Sequence, residues 1–402
     1  MSLRGALVAF VTIIATSPLY AQVEDSKILD GDTLVYRYVP MDRTTPTPKR
    51  GGVESGRSVL DYLTFGDKEL NPGASVTIMG APSYSEERGW GLAVAGDMRY
   101  RTRRMTTHDT PSSLRLRLAA SLTGYYAAEL VGCNMLGGDK HLINYNIATR
   151  SEPTYTWGTQ YASASSGARG RYVEKRHSAY LSYGYRPVSQ VIVGAHADFI
   201  YTSAVRLSDV AVQLIDGEVT SLMSVGVGVD ASYDTRQAVD YVMRGLYIAG
   251  SYTLRPRALA ANISTLHSLT LTFDYYQPLW RGATVALDIY GEYHSKATPW
   301  LLRAQMGGDY RMRGYYEGRY TGNRLLSAQL ELRQHIWQGL GIAAWGGGGV
   351  ALTSEESFAW RKVLPTYGVG IRWSLGGLSA IRVDVAFGRD SNAVIFGVSE
   401  AF

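Results

Sequence analysis

From residue 73 onward the chain alternates between apolar and polar positions in long runs. In Trp90–Tyr100 one face carries Trp90, Leu92, Val94, Met98 and Tyr100, and the other Ala93, Ala95, Asp97 and Arg99. Leu114, Leu116, Leu118 and Leu122 alternate with Arg115, Arg117, Ser121 and Thr123. Leu269, Leu271, Phe273 and Tyr275 alternate with Ser268, Thr270, Thr272 and Asp274. Ile381, Val383, Val385 and Phe387 alternate with Arg382, Asp384 and Ala386. A period of two means β-strands with one apolar face. Soluble sandwiches alternate too. These runs, however, are about as long as the tilted 9–11 residues that cross a bilayer, and their polar faces mix Arg, Asp, Glu and Gly as a wet lumen does.

The pattern predicts an all-β chain, a transmembrane antiparallel β-barrel of about sixteen strands. The expected spans are 74–82, 90–103, 112–124, 126–136, 139–149, 170–186, 188–206, 218–234, 242–256, 264–279, 281–296, 324–337, 339–353, 361–376, 377–390 and 393–402. Short turns are expected at Gly137-Gly138, Arg186-Pro187, 278–282, 337–339 and Gly376-Gly377, and long connections at 150–169, 206–217 and 297–323. Short periplasmic turns facing long external loops are the usual asymmetry of such barrels. The last residues close an apolar alternation, Val394, Phe396, Val398 and Phe402, which resembles the C-terminal recognition signal of outer-membrane barrels; Glu400 stands where an aromatic is commoner.

The first 21 residues read as a secretory signal: Arg4, an apolar run from Ala6 to Ile14, then Leu19-Tyr20-Ala21 before Gln22. Residues 22–73 are polar, with a Thr/Pro-rich tract at 44–49 and a short helix expected over 58–63; a leader and a plug inside the barrel both fit. The sequence holds 44 Gly, 29 Tyr and one Cys. Tyrosine suits membrane interfaces, where the ring is buried and the hydroxyl stays wet. Cys133 leaves no disulfide framework. The net charge of +5 is spread along the strands, not gathered in a basic stripe, which argues against nucleic acid.

One tract carries more than periodicity: Met306-Gly-Gly-Asp-Tyr-Arg-Met-Arg-Gly-Tyr-Tyr316, followed by the alternating strand Leu325-Leu-Ser-Ala-Gln-Leu-Glu-Leu-Arg333. If the loop folds back into the lumen, Arg313 needs an acidic partner, because a lone guanidinium in a partly dry interior is costly. Gly314 permits a tight turn, and Glu331 and Arg333 share the inward face with Ser327, Gln329 and His335. Glu331 is therefore a reasonable partner, but the residues alone leave a loop exposed to solvent equally open.

The tract resembles the sixth external loop and following strand of the BamA/TamA superfamily of outer-membrane β-barrels, the bacterial surface antigen type. The resemblance implies a loop seated in the lumen, with Gly307, Gly308, Arg313, Gly314, Tyr315, Glu331 and Arg333 forming its lock. Tyr233-Asp-Thr-Arg236 with Gly245 and Tyr247 resembles the family's Asp-x-Arg-Asp turn, implying Asp234–Arg236 pairing at a periplasmic turn; Gln237 replaces the second acid, and Val239 and Val242 replace common prolines. Residues 82–91 resemble the first hairpin of relatives without POTRA domains.

Two departures stand out. The family has an aromatic-Asp-x-Gly strand whose Asp helps hold the loop arginine, and here Gly346 follows Trp345, which leaves Arg313 leaning on Glu331 alone. The segment before Gly73 is also too short and polar to build a POTRA domain, which needs its own core. That weakens an insertase or secretion-pore role. No catalytic site is expected. His177-Ser178, His267-Ser268 and His294-Ser295 are adjacent and so point to opposite strand faces. No histidine cluster suggests a metal, Gly346–Gly349 is a thin strand and not a phosphate loop, and no cofactor is implied.

Two functions fit these residues. In the first, the barrel serves membrane-protein assembly or translocation, disturbing the bilayer or opening between its first and last strands. In the second, it is a porin-like channel or a barrel binding lipid or a partner, its lumen lined by Asp97, Arg99, Arg115, Arg117, Arg382 and Asp384. The partners implied are outer-membrane lipids, a separate periplasmic protein and a second copy of the chain, in the outer membrane of a Gram-negative bacterium.

Overall fold

The computed structural model describes residues 68–71, 74–85, 88–100, 112–236, 242–337, 339–373, 381–398 and 400–402. The expected signal, the 58–63 helix, most of the 22–73 segment and the Gly376-Gly377 turn lie outside the described residues.

Sixteen long strands follow one another: β1 (Ala74–Ser85), β2 (Gly89–Tyr100), β3 (Ser112–Ser121), β4 (Tyr126–Leu136), β5 (His141–Thr156), β6 (Gly170–Val188), β7 (Val191–Val205), β8 (Ser221–Asp234), β9 (Gly245–Arg255), β10 (Leu266–Pro278), β11 (Ala283–His294), β12 (Arg324–Trp337), β13 (Leu340–Leu352), β14 (Leu364–Trp373), β15 (Ile381–Gly388) and β16 (Ser391–Val398). Each pairs antiparallel with the next. Lys68–Asn71 pairs with the start of β1, and Ala260–Ala261 with β8. Among the described residues two short helices, α1 (Tyr161–Ser166) and α2 (Asp209–Leu214), sit in connections. Among the described residues no ladder joins β16 back to β1, so the barrel sheet keeps two edges.

The wall is inside-out relative to a water-soluble sheet. In β12, Leu326, Ala328, Leu330 and Leu332 are exposed, whereas Ser327, Gln329, Glu331 and Arg333 are buried. In β14, Tyr367, Val369 and Ile371 are exposed and Thr366 and Arg372 buried. An apolar outer face with polar, paired groups within is the pattern of a strand wall solvated by lipid. Trp280, Trp337 and Trp373 are exposed at the rim nearer residue 402, and Trp90 and Trp360 at the opposite, loop-bearing rim. Their rings suit the boundary between hydrocarbon and water.

Several expected boundaries shift. β5 runs on to Thr156, so part of the expected 150–169 loop is strand. β6 passes through Arg186-Pro187 to Val188, and the turn falls at 189–190. The asymmetry of connections is partial: the loop-bearing rim also has the short links 86–88, 122–125 and 389–390. Residues 393–402 do not form one strand. The ladder ends at Val398, and Glu400, Ala401 and Phe402 are buried. His335 keeps the inward parity, opposite Gly341, but it is exposed at the rim nearer residue 402, just before the β12–β13 register slips.

Candidate functional site: a loop lock in the lumen

The 295–323 connection turns inward from β11. It forms a small hairpin, Ala304–Met306 against Tyr320–Gly322, and buries Met306, Met312, Tyr315 and Tyr320 against Trp157, Tyr290, Leu325 and Leu364. This apolar packing supplies the hydrophobic part of the seat. The tip between the two short strands carries the charged part.

Arg313 is fully buried. Its Nη2 donates to Glu331 Oε2 at 2.6 Å and to Gln329 Oε1 at 3.3 Å, and its Nη1 donates to Asp384 Oδ2 at 2.9 Å. Its guanidinium carbon lies 3.6 Å from the Trp345 ring centroid. Two carboxylates and an aromatic face meet the cost of stripping water from the guanidinium, which a single partner does less well. The expectation that Arg313 leans on Glu331 alone is therefore corrected. Gly346 faces outward, with nothing within 4 Å of a would-be Cβ, so an aspartate there would not reach the lumen. Asp384 of β15 holds the arginine from another strand.

Gly314 adopts φ +99°, and a Cβ there would stand 3.1–3.2 Å from the backbone of Ala386 and Phe387. Only glycine combines that backbone with so close an approach to β15. Gly307 and Gly308 also have positive φ, +111° and +115°. Tyr315 donates its hydroxyl proton to Pro365 O at 2.7 Å and accepts from Arg389 N at 2.6 Å. Its ring occupies the space a side chain at Gly388 would fill.

The lock continues toward the terminal rim. Arg333 donates to Glu331 Oε1 at 2.8 Å and to the Phe402 main-chain oxygen at 2.9 Å. Arg372 reaches Asp384 Oδ1 at 2.5 Å and Glu400 Oε2 at 2.8 Å. Arg382 reaches Asp384 Oδ2 at 3.1 Å and the Asp309 carbonyl at 2.9 Å. Gly370 and Gly397 leave room on the wall, since a Cβ at either would collide with these groups. Phe402 packs among Val242, Tyr276, Ala286 and Ala401, beneath Arg333. The expected C-terminal alternation thus splits: Phe396 faces out, Phe402 turns into the lumen, and Glu400 is a network member instead of a misplaced aromatic. The side chain of Val398 lies outside the described residues.

The turn after β8 is compact. Arg236 N and Nε both donate to Asp234 Oδ1, at 3.0 and 2.9 Å, and Nη2 to Oδ2 at 2.7 Å, with Tyr247 under the guanidinium. Burial opposes the charge on Arg236, but the hydrogen bond and charge of Asp234 outweigh it and hold the guanidinium above its ordinary pKa. Gly245 has φ +136°, and a Cβ there would lie 2.6 Å from Arg236 Cα.

The remaining lumen residues divide by depth. Arg382 and Asp384 are sealed in the lock. Asp97, Arg99, Arg115 and Arg117 are wetter; Asp97 joins Arg115 at 2.9 Å and Arg99 at 3.5 Å, and Arg117 joins Glu129 at 3.2 Å. Sequence reasoning missed a hydrogen-bonded chain on β7, β8 and β9. His196 Nδ1 lies 2.8 Å from Asp230 Oδ2 and Nε2 2.9 Å from Thr253 Oγ1, with the ring stacked on Tyr180. Inward parity was its only signal. It ties three strands together. Among the described residues no group of His, Cys, Asp or Glu suits a metal ion.

No family model matches the sequence, and no curated protein does either. Solved structures do match. BamA from Haemophilus ducreyi lacking POTRA domains 1–3 superposes with TM-score 0.57 and 14% identity, over 81% of this chain and 69% of that one. CdiB from Escherichia coli gives 0.54 and 12%, over 83% and 62%. CdiB from Acinetobacter baumannii gives 0.50 and 15%, over 82% and 57%. The fold is that of the BamA and CdiB barrels. The resemblance expected from the Arg-Gly-Tyr tract is met at the level of fold, and this chain spans less than two thirds of either CdiB chain. In this BamA-type barrel the inward loop and its arginine lie against strands β12 to β15.

Proposed function

We propose that this chain is an integral outer-membrane β-barrel of a Gram-negative bacterium acting in membrane-protein assembly or translocation. The observation that carries this reading is the seating of Arg313 between Glu331 and Asp384, which fixes a long external loop inside the wall. A loop so held stiffens β12 to β15, while among the described residues β16, and β1 beyond its pairing with Lys68–Asn71, keep a free edge. Free strand edges are templates for an incoming strand. On this reading the rim nearer residue 402 faces the periplasm, lipid surrounds the wall, and a separate periplasmic protein brings the client.

A channel is the alternative. The buried tip of the loop and the sealed Arg–carboxylate network count against free diffusion through the lumen; the wetter Asp97, Arg99, Arg115 and Arg117 count for it.

The test is the rate at which an unfolded small barrel inserts into liposomes with and without this protein. Acceleration lost in Arg313→Ala supports the assembly reading. Absence of acceleration, together with steady ion conductance in planar bilayers, would replace it with the channel.

A further inference from the structure

The connection between β13 and β14 carries a surface that the lock does not account for. Trp360 is 82% exposed and Phe358 54%, and their rings meet edge to face at 5.3 Å. Just below them on the outer wall, Tyr367 and Phe387 stack at 5.7 Å. An exposed tryptophan with an aromatic neighbour, at the loop-bearing rim of an apolar wall, lies where headgroups meet acyl chains.

The charge around this tip is positive. Arg319, Arg324, Arg361, Lys362, Arg389 and Lys296 gather here against Glu355, Glu356 and Asp390. Direct contacts hold the cluster together: Arg389 Nη1 donates to Arg361 O at 2.8 Å, Arg324 Nη2 to Glu356 O at 2.8 Å, and Lys296 lies 3.6 Å from Glu355. Glu356 accepts from Tyr161 N at 3.1 Å and Thr353 N at 3.0 Å and pairs with Lys362 at 3.4 Å. Arg361 is exposed. The connection between β7 and β8, on the same rim, has the opposite balance: Asp209, Asp216 and Glu218 against Arg206. The positive surroundings of the 353–363 connection thus differ from those of the β7–β8 connection, and they coincide with the exposed aromatics.

We propose that this connection, 353–363, binds the anionic headgroup of a membrane lipid. Phe358 and Trp360 insert at the headgroup boundary, and Arg361 meets the phosphate. The proposal rests on the membrane reading above. Its occupant is a lipid and not a soluble anion, because the aromatic pair gives a free phosphate nothing to bury. Nor is the occupant a soluble protein, because Trp360 continues the aromatic line of the outer wall.

The experiment is native mass spectrometry of the full chain in detergent micelles, titrated with phosphatidylglycerol or phosphatidylcholine, with flotation of the same protein on liposomes. Phosphatidylglycerol should bind more tightly. Arg361→Gln should weaken it on the order of fivefold, the effect of one basic residue at an anionic surface. Trp360→Ser should weaken both lipids. Equal affinity for the two, or a preference untouched by Arg361→Gln, overturns the headgroup site. Displacement of phosphatidylglycerol by millimolar inorganic phosphate alone overturns the lipid as occupant. A chain that does not float with liposomes overturns the membrane reading with it; one that floats without headgroup preference overturns this proposal alone.

Discussion

Arg313 Nη1 and Asp384 Oδ2 are 71 residues apart in the chain and 2.9 Å apart in the lumen. This contact joins the inward loop to β15, near the end of the sheet. With Arg372 and Arg382 also on Asp384, and Arg372 on Glu400, the loop and the residues after β16 share one buried network. Removing one partner from such a network leaves an uncompensated charge, and that sets the scale of the first predictions.

Arg313→Ala should destabilise the folded barrel by about 3–5 kcal/mol, the usual cost of breaking a buried ion pair from one side. Arg313→Lys should recover little of this, because an ammonium cannot fork between two carboxylates and lie flat on Trp345. Urea unfolding in detergent, followed by the altered gel migration of unheated barrels, measures both.

Asp384→Ala should cost as much, and adding Gly346→Asp should not rescue it. Position 346 faces outward, so a carboxylate there meets lipid and adds a penalty of its own. Rescue in the double variant would mean that β13 is turned the other way.

Gly388→Ala should expel the tip of the loop, since its Cβ would collide with the Tyr315 ring. The readout is trypsin cleavage at Arg311, Arg313 and Arg319, slow in the parent and at least on the order of tenfold faster in the variant, as expected when a segment leaves its protected seat. The outer wall should be unaffected, so the barrel should still resist proteolysis elsewhere.

Gly245→Ala should destabilise the turn after β8 by more than about 1 kcal/mol, because a positive φ and a backbone collision act together. Asp234→Asn should lose one charge-assisted partner of Arg236, an effect of about 1 kcal/mol or less at this half-exposed carboxylate. The two variants should rank in that order in thermal unfolding.

The strand count and the facing of each strand are legible because a two-solvent wall imposes period two wherever it runs. Glu331 is legible because it shares inward parity with Arg333 on one strand. Asp384 reads as a lumen residue, but its contact with Arg313 depends on how far the wall curves between β12 and β15, which periodicity does not encode. Glu400 is instructive in the opposite sense. It looks like an irregular aromatic position in a last strand, yet a charge on a lipid-facing alternation is the mark of a chain leaving that face. His196, Asp230 and Thr253 sit on three strands, and only their register brings them together.

A cross-link tests whether the 295–323 connection sits in the lumen. A Cβ at Gly349 would stand 2.8 Å from Met312 Sδ, so the loop tip touches β13 there, and Met312→Cys with Gly349→Cys, in a Cys133→Ser background, tests that contact. A disulfide should form under mild oxidation in native membranes and protect the thiol introduced at position 312 from a membrane-impermeant maleimide. Rapid labelling of that thiol from outside, with no cross-link, would contradict the seated loop.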